Sequence, residues 1–191
     1  MKYLNRKGSL TDTERQFRIF KRSGVIPNTL TYNLLFDTIA KAKTSNLNGE
    51  KMINYYNDML ENNVIPNLDT YSIVIKGLCK IENDLTNKEK CTDFAFDLFT
   101  KTKCLPNVYY DVDICDILLR TLANFGRIED GLSVFEYMET HDIVSTSTFG
   151  YLISMYSHGG DMQSVLECFD EFQQVKQNLH YQREPLMYII T

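Results

Sequence analysis

The sequence predicts an all-α fold, a right-handed α-solenoid of about four helix-turn-helix repeats. The first observation is a recurring tetrapeptide, Val-Ile-Pro-Asn, which occupies residues 25–28 and again residues 64–67, each time followed by a Thr-Tyr pair. The second is a weaker copy at Leu105-Pro106-Asn107. The third is that apolar residues between these copies recur at helical spacing. A helix-stopping proline that returns at a fixed period is typical of stacked helical hairpins.

Composition limits the class of protein. The 191 residues are 43% hydrophobic, which is enough for a packed core and excludes wholesale disorder. No stretch approaches the roughly 18 uninterrupted apolar residues of a membrane helix, so we expect no membrane partner. The five cysteines are odd in number and contain no Cys-x-x-Cys pair, which indicates reduced thiols, without a disulfide framework or a zinc cluster.

Charge is uneven along the chain. Residues 1–24 carry a net charge of +5, and the remainder therefore carries −10 of the total of −5. An acidic body is unfavourable for a protein that binds a polyanion, because lysine and arginine supply most nonspecific affinity for nucleic acid. A basic start is also typical of an organelle transit peptide, although such peptides are poor in acidic residues and this segment holds Asp12 and Glu14.

The elements follow in order along the chain. Residues 1–28 are interpreted as a basic N-terminal segment with the second helix of a half-repeat. Repeat 1 spans 29–67 and repeat 2 spans 68–107, each with two apolar stripes separated by a polar loop, at 44–50 and at 82–90. Repeat 3 spans 108–145 and repeat 4 spans 146–180. Residues 181–191 resemble the start of a further helix that stops short.

Glycines and prolines predict where these helices end. Gly126 and the pair Gly159-Gly160 fall where a first helix must stop, and glycine tolerates the left-handed conformation of a helix end. Pro27, Pro66 and Pro106 mark the ends of second helices, since proline cannot continue the hydrogen-bond ladder. Each hairpin buries only one face alone, so neighbouring hairpins must stack to complete the core.

These motifs together resemble pentatricopeptide repeats. The resemblance rests on the Thr-Tyr-Asn start at residues 31–33, the Phe-Gly-Arg elbow at residues 125–127 and the Pro-Asn close, and it covers roughly residues 11–180. Tetratricopeptide repeats are the nearest alternative, but they normally carry a tryptophan, and this chain has none. The chain is therefore identified as a member of the pentatricopeptide family.

The resemblance implies binding of single-stranded RNA, one base per repeat, mostly in mitochondria or plastids. In such proteins the residue after the first-helix tyrosine and the residue that closes the repeat read a base edge together. Repeat 1 would offer Asn33 with Asn67, a pair that favours a pyrimidine by family analogy, and repeat 2 would offer Ser72 with Asn107, which resembles adenine readers. Two lysines at equivalent places on the first helices would face phosphates, or else are ordinary solvated side chains. They are Lys41 and Lys80.

Several departures from the family pattern reduce the number of reading repeats. The family usually has an aliphatic residue two places before the tyrosine; repeat 1 keeps Leu30, whereas repeats 2 and 3 have Asp69 and Asp113. A carboxylate repels phosphodiesters and cannot supply apolar stacking. At best two of the four repeats are expected to read bases, and such degenerate arrays often serve as scaffolds or as readers of RNA shape.

Catalytic and metal chemistry is not expected. The cluster of Asp111, Asp113 and Asp116 lacks the glycine and the distal glutamate of a calcium loop, and Asp111 or Asp113 suits the N-cap of a helix. The histidines are scattered, and no phosphate-binding glycine loop or nucleophile elbow occurs. We therefore expect no enzyme, no catalytic residue, no bound metal and no cofactor.

The leading hypothesis is a non-enzymatic RNA-binding protein in mitochondrial RNA metabolism or translation. Its partners would be single-stranded RNA or ribosomal RNA, with mitochondrial ribosomal proteins as further candidates. The alternative is a structural subunit of a mitochondrial ribosome, held mainly by protein contacts, by the shape of ribosomal RNA and by the basic first 24 residues. A third interpretation is a tetratricopeptide-like binder of a peptide. The mitochondrial location rests on the family alone.

Overall fold

The computed structural model describes residues 10–42, 47–80 and 85–182, with side chains up to residue 174. Within these ranges the chain forms nine α-helices and no β-strand. They are α1 (Leu10–Arg22), α2 (Thr29–Lys41), α3 (Asn48–Glu61), α4 (Leu68–Cys79), α5 (Leu85–Thr102), α6 (Val112–Asn124), α7 (Ile128–Thr140), α8 (Thr146–Gly159) and α9 (Met162–Gln182). The predicted all-α repeat fold is confirmed.

Within the described residues five helices begin at a polar N-cap; one of them is α9, where Asp161 accepts the backbone N–H of Ser164 at 3.1 Å. Asn28 and Asn67 accept the backbone N–H of the residue three places on, at the starts of α2 and α4. Asp111 does the same at α6, accepting from the N–H of Ile114 at 2.9 Å, and Ser145 does so at α8. A side-chain oxygen at this position satisfies one of the backbone donors that a helix start leaves open. The prediction that the aspartate cluster starts a helix is thus correct for Asp111.

The helix ends also follow the sequence. Gly126 and Gly160 adopt left-handed φ values of 63° and 74° after α6 and α8, as predicted for these turns. The helices α1, α3 and α5 end four or five residues before their prolines. Asn63, with φ 55°, makes the corresponding left-handed turn after α3, and asparagine is among the few non-glycine residues that tolerate it.

The chain divides into two compact units, residues 1–118 and 119–191. In the first unit, α4 packs beside α2 and α5, and α3 packs against α2, α4 and α5. Most of the largest fully buried side chains of this unit come from these helices and from α1; among them are Phe17, Tyr32, Phe36, Ile39, Met52, Met59, Ile75, Leu78 and Phe99. This core holds the two first helices α2 and α4 side by side.

Gly77 is where α4 approaches its neighbours most closely. A Cβ atom at this position would lie 2.6 Å from Cε of Met52 on α3 and 3.3 Å from Cβ of Ala40 on α2. The absence of a side chain therefore sets how near α4 sits to α2 and α3, and with it the position of the N-cap at Asn67.

The half-repeat helix α1 is attached through an aromatic and ionic contact. Phe17 packs edge-on against Tyr32 of α2 and Tyr55 of α3, with ring centroids 5.2 and 5.5 Å apart. On one side of it, Lys51 lies 3.0 Å from the carboxylate of the buried Glu14. On the other side, Lys21 pairs with Asp58. The half-repeat helix predicted within residues 1–28 thus packs against α2 and α3.

In the second unit α8 packs against α7 and α9. Phe149 contacts Phe135 of α7 at 6.3 Å and Phe172 of α9 at 6.0 Å between ring centroids. Gly131 allows the thioether of Met155 to lie against α7, because a Cβ there would come within 2.4 Å of its sulfur. The unit is an α-helical repeat in its own right.

One predicted loop is shorter than expected. The polar segment at 82–90 becomes helical at Leu85, because Cys91 and Thr92 are fully buried and anchor the first turns of α5 while the polar side chains face solvent. The loop at 44–50 likewise gives way to α3 at Asn48. Residues 1–9, 43–46, 81–84 and 183–191 lie outside the described part, and with them most of the predicted partial helix at 181–191.

Two further observations concern the described residues only. No helix among them combines the length and the apolar character that crossing a membrane requires. No group of histidine, cysteine, aspartate and glutamate in this part of the chain is placed to hold a metal ion.

Candidate nucleic-acid interface

Asn33 and Asn67, predicted as a base-reading pair, are in direct contact. The Nδ2 atom of Asn33 on α2 donates to Oδ1 of Asn67 at 3.2 Å. The Oγ1 atom of Thr70 donates to Oδ1 of Asn33 at 2.7 Å and accepts from the backbone N–H of Asn67 at 3.1 Å. These three side chains form a closed hydrogen-bonded ring between α2 and the start of α4.

The two asparagines differ in what they can offer a ligand. Asn33 is only 8% exposed, so its amide is occupied within the protein. Asn67 is exposed, and its Oδ1 also accepts the backbone N–H of Thr70 as the N-cap of α4. Its Nδ2 group donates to no protein atom within the described part of the chain. The pair therefore presents one amide donor, Nδ2 of Asn67, at the surface, and the hydrogen bond from Asn33 holds that side chain in position.

Apolar surface adjoins this pair. Leu30, one helical turn before Asn33, is 58% exposed, and Ile65 in the connection before α4 is 80% exposed. The hydroxyl of Thr29 donates to the carbonyl of Ile65 at 3.0 Å, which ties the start of α2 to that connection. Exposed aliphatic side chains beside a hydrogen-bonding amide are suited to contact the face of a base while the amide meets its edge.

The two predicted lysines lie in exposed positions at the C-terminal ends of α2 and α4. Lys41 is in the last turn of α2 and pairs with Asp37 at 2.6 Å, one turn earlier. Lys80 is the C-cap residue of α4. The pair at Lys41 is solvent-exposed and therefore weak, so a phosphate can compete for the ammonium group.

The second predicted reading pair is not brought together in the same way. Ser72 is half-buried on α4, and Asn107 lies in the connection after α5 with φ 65°. Asn67 is the N-cap of its helix, whereas the N-cap of α6 is Asp111, four residues beyond Asn107. The residue that occupies the place of Asn67 in the next repeat is thus a carboxylate.

Further acidic groups stand at the aliphatic position of the family pattern. Asp69 is exposed in the first turn of α4. Asp113, whose side chain is 77% exposed, lies 3.8 Å from Lys76 of α4. Repeats 2 and 3 thus offer a carboxylate each in place of the apolar surface that Leu30 supplies in repeat 1.

A second polar network, which sequence reasoning missed, lies between α1, α2 and α3. The hydroxyl of Tyr32 donates to Oδ2 of Asp58 at 2.7 Å, and Lys21 and Asn62 also bond this carboxylate. Burial alone would raise the pKa of Asp58, but the hydrogen bonds from Lys21 and Tyr32 outweigh it and lower the pKa below 3.8. Burial first, and then the bond to Asp58, raise the pKa of Tyr32.

Sequence reasoning also missed Thr70. The available signal was the spacing Asn67-x-x-Thr70, since a polar residue three places after an N-cap commonly completes a capping box. The Lys21–Asp58 and Lys51–Glu14 contacts join residues 37 positions apart, and nothing local in the sequence pairs them.

Comparisons with known proteins agree with this architecture. A family model described as the PPR repeat family matches residues 44–80, and a model described as PPR repeat matches residues 114–143 and 147–175. A comparison with curated proteins gives no match.

Solved structures share the fold. The PPR domain of Arabidopsis thaliana protein-only RNase P 1, solved in complex with tRNA, is similar with a TM-score of 0.73 and 15% identity, over 91% of this chain and 86% of that one. Nuclear proteinaceous RNase P 2 from A. thaliana is similar with a TM-score of 0.73 and 13% identity, over 87% of this chain. The matched part is 35% of that enzyme's chain. At these identities the likeness shows the fold alone.

PPR repeats are helical hairpins of a family that reads RNA one base per repeat. The helical pairs, their N-caps and the matched segments in both halves of the chain agree with that assignment. This chain belongs to the pentatricopeptide repeat family.

Proposed function

We propose that this chain is a non-enzymatic, single-stranded RNA-binding protein of mitochondrial RNA metabolism or translation. The observation that carries the proposal is the contact between Asn33 and Asn67, which places one amide donor at the surface beside the exposed Leu30. The mitochondrial location and the absence of catalysis rest on the family resemblance and on the lack of any catalytic motif in the sequence.

The site of repeat 1 is suited to one base. Asn67 would donate its Nδ2 hydrogens to an acceptor on the base edge, Leu30 would contact the face of the base, and Lys41 would approach a neighbouring phosphate. The amide of Asn33 keeps Asn67 in position and does not itself need to touch RNA. Ser72, Asn107 and Lys80 would serve the next base less well, because of the carboxylates around them.

A second candidate function is a structural subunit of a mitochondrial ribosome, held mainly by protein contacts and by the shape of ribosomal RNA. The acidic groups at Asp69 and Asp113 favour it, since they repel a continuous single strand along the first helices. The net charge of −10 on the residues after 24 also favours this second function. In that function, base identity at the site of repeat 1 would not affect binding.

The test changes the base-facing group without removing the helix cap. Asn67→Asp keeps a good N-cap residue for α4 but replaces the amide donor by a carboxylate. Asn28→Asp is the matched control, because Asn28 caps α2 in the same way but, among the described residues, has no first-helix asparagine bonded to it. Binding of fluorescein-labelled homopolymeric RNAs would be followed by fluorescence anisotropy at about 50 and 200 mM salt, a range over which phosphate contacts are resolved.

RNA binding whose base preference changes in Asn67→Asp but not in Asn28→Asp supports the proposal. Binding that is equal for all four homopolymers and unchanged in both variants supports the structural subunit. Absence of RNA binding at both salt concentrations overturns RNA binding by the isolated chain. Peptide capture under the same conditions would then favour the tetratricopeptide-like interpretation.

A further inference from the structure

A basic groove runs between α1 and α3, on helices that the base-reading site does not use. The groove has a volume of about 450 Å³ and is lined by side chains of both helices. Phe17 and Tyr55 form its floor, and Arg18, Arg22 and Asn54 stand at its rim. These residues belong to the half-repeat helix and to the second helix of repeat 1.

Two carboxylates lie near these arginines, Asp58 in the lining of the groove and Glu14 in the adjoining pocket beside Arg18, and both already have partners. Glu14 is paired with Lys51 and accepts from the hydroxyl of Tyr55 at 3.5 Å. Asp58 is bonded by Lys21 and by Tyr32. These acidic groups are therefore compensated inside the protein and do not neutralise the arginines at the rim.

Three arginines of α1 remain without a carboxylate partner among the residues that the structure describes. They are Arg15, Arg18 and Arg22, which recur at intervals of three and four and so lie on one stripe of the helix. All three are exposed. Arg18 makes one contact, from Nε to the carbonyl oxygen of Glu14 at 3.4 Å, which leaves the terminal nitrogens of its guanidinium available.

The length of the stripe decides the size of the ligand. Seven residues of helix rise by roughly 10 Å, so a single phosphate ion cannot reach both ends of the stripe. A row of phosphates can, and the planar guanidinium group binds a phosphate through two parallel hydrogen bonds. The neutral donor Asn54 on the opposite wall adds a hydrogen bond that depends on no further charge.

We propose that the stripe of Arg15, Arg18 and Arg22, together with the α1–α3 groove, binds the sugar-phosphate backbone of RNA. This inference rests on the proposed function, because it assumes that the chain binds RNA. It adds a backbone contact outside the first helices, at which the sequence of the RNA is not read. The groove compensates for the acidic surface of repeats 2 and 3 by supplying most of the electrostatic part of binding.

The test measures how steeply RNA binding depends on salt. Arg18→Gln combined with Arg22→Gln removes two charges from the exposed rim and keeps good helix-forming residues. The control is Lys90→Gln combined with Lys101→Gln, which removes two exposed charges from α5, the second helix of the next repeat. The probe is a labelled single-stranded RNA of random sequence, titrated with the full chain between 50 and 200 mM salt.

The loss of two phosphate contacts lowers the slope of log K against log salt by about 1.4. The ratio of wild-type to variant affinity should then fall about sevenfold between 50 and 200 mM salt. The control variant should keep the wild-type slope, and circular dichroism should give the same melting temperature for both variants.

An unchanged slope in the arginine variant, with RNA still bound, overturns this proposal and leaves the proposed function standing. An equal decrease of the slope in the arginine variant and in the lysine control also overturns this proposal, because the effect would then come from net charge alone. If a labelled polyglutamate peptide binds and loses affinity in the arginine variant while RNA binding is unaffected, the groove is a site for acidic protein. Absence of RNA binding in the wild type overturns both proposals.

Discussion

The hydroxyl of Thr70 donates a 2.7 Å hydrogen bond to the side-chain oxygen of Asn33, joining the first turn of α4 to the first turns of α2. Thr70 is fully buried, and the same hydroxyl accepts the backbone N–H of Asn67. One side chain therefore completes the cap of α4 and orients the asparagine pair. The candidate site depends on this residue although it does not itself face a ligand.

Thr70→Val keeps the shape of the side chain and removes the hydroxyl. It leaves Oδ1 of the buried Asn33 without this donor, a loss that costs on the order of 1–3 kcal/mol, and it removes the side-chain acceptor of the N–H of Asn67. We expect the free energy of unfolding, measured by urea denaturation, to fall by about 2 kcal/mol. The binding of RNA should weaken as well, because Asn67 is no longer held.

The matched control is Thr31→Val. Thr31 is also three residues after an N-cap asparagine and donates to Oδ1 of Asn28 at 2.9 Å, but it is half-buried and, within the described part of the chain, bonds no first-helix asparagine. Its loss should cost under about 1 kcal/mol, because water can replace the bond. Equal costs for the two variants would contradict the central position given to Thr70.

A second prediction concerns pH and Asp58. The pKa of this carboxyl is lowered in the folded protein, so the charged form stabilises the fold above the unfolded pKa of about 3.8, and that contribution is lost as the pH falls through the lower folded value. Asp58→Asn should therefore be destabilising at neutral pH. Its difference from the wild type should shrink below about pH 5.

Urea denaturation at intervals between neutral and acidic pH measures that difference. Asp97→Asn is the control, since Asp97 pairs with Lys101 in an exposed position on α5 and such pairs contribute little. We expect the control to change the free energy of unfolding by less than about 0.5 kcal/mol at every pH. A difference for Asp58→Asn that grows on acidification would show that the carboxyl is not stabilised by its partners.

The sequence predicted the helices well because the governing signals are local. The N-caps at Asn67 and Ser145 and the glycine turn at Gly126 each act within four residues, so spacing alone locates them. Asn33 and Asn67 were named as a base-reading pair because the family resemblance provides a register between neighbouring repeats, and their direct hydrogen bond was not predicted. The end of the loop before α5 was misjudged because a polar run does not reveal that Cys91 is buried.

The features that could not be predicted from the sequence depend on contacts between helices that are distant in the chain. The residues next to a lysine in the sequence do not show which distant carboxylate it contacts. The Lys21–Asp58 contact and the groove beside it are therefore seen only when α1 is placed against α3. The same limit applies to the base-reading pair of repeat 2. A third Pro-Asn motif indicated Asn107, yet the helix that follows is capped by Asp111, because the connection after α5 is longer than that after α3.

A third prediction concerns thiol reactivity. Cys104 is exposed, whereas Cys79, Cys91 and Cys115 are buried and Cys168 is half-buried, where burial and then Glu171 and Glu167 raise its pKa. Burial first, and then nearby carboxylates, raise the pKa of Cys91 to about 11 and that of Cys115 to about 12, so neither supplies the reactive thiolate near neutral pH. A native-state titration with a disulfide reagent should show a fast phase of one thiol.

Cys104→Ser should abolish that fast phase, and Cys79→Ser should leave it unchanged. All five cysteines should react after denaturation, because none is in a disulfide. A fast phase that survives Cys104→Ser would mean either that the half-buried Cys168 reacts or that one of the helices around Cys91 or Cys115 opens readily in the native state.

The last prediction tests how α4 is placed. Gly77→Ala gains about 1 kcal/mol of helix propensity but puts a Cβ within 2.6 Å of Cε and 2.8 Å of Sδ of the buried Met52, and overpacking typically costs about 1–3 kcal/mol. Met52→Ala removes the atoms that clash, but alone it leaves a cavity that costs about 2–5 kcal/mol.

Because the two changes act on the same space, the double variant should be more stable than the sum of the single changes predicts, by at least about 0.5 kcal/mol. Urea denaturation of the four proteins in this cycle measures the coupling, and strict additivity would mean that Met52 does not determine how closely α4 approaches α3.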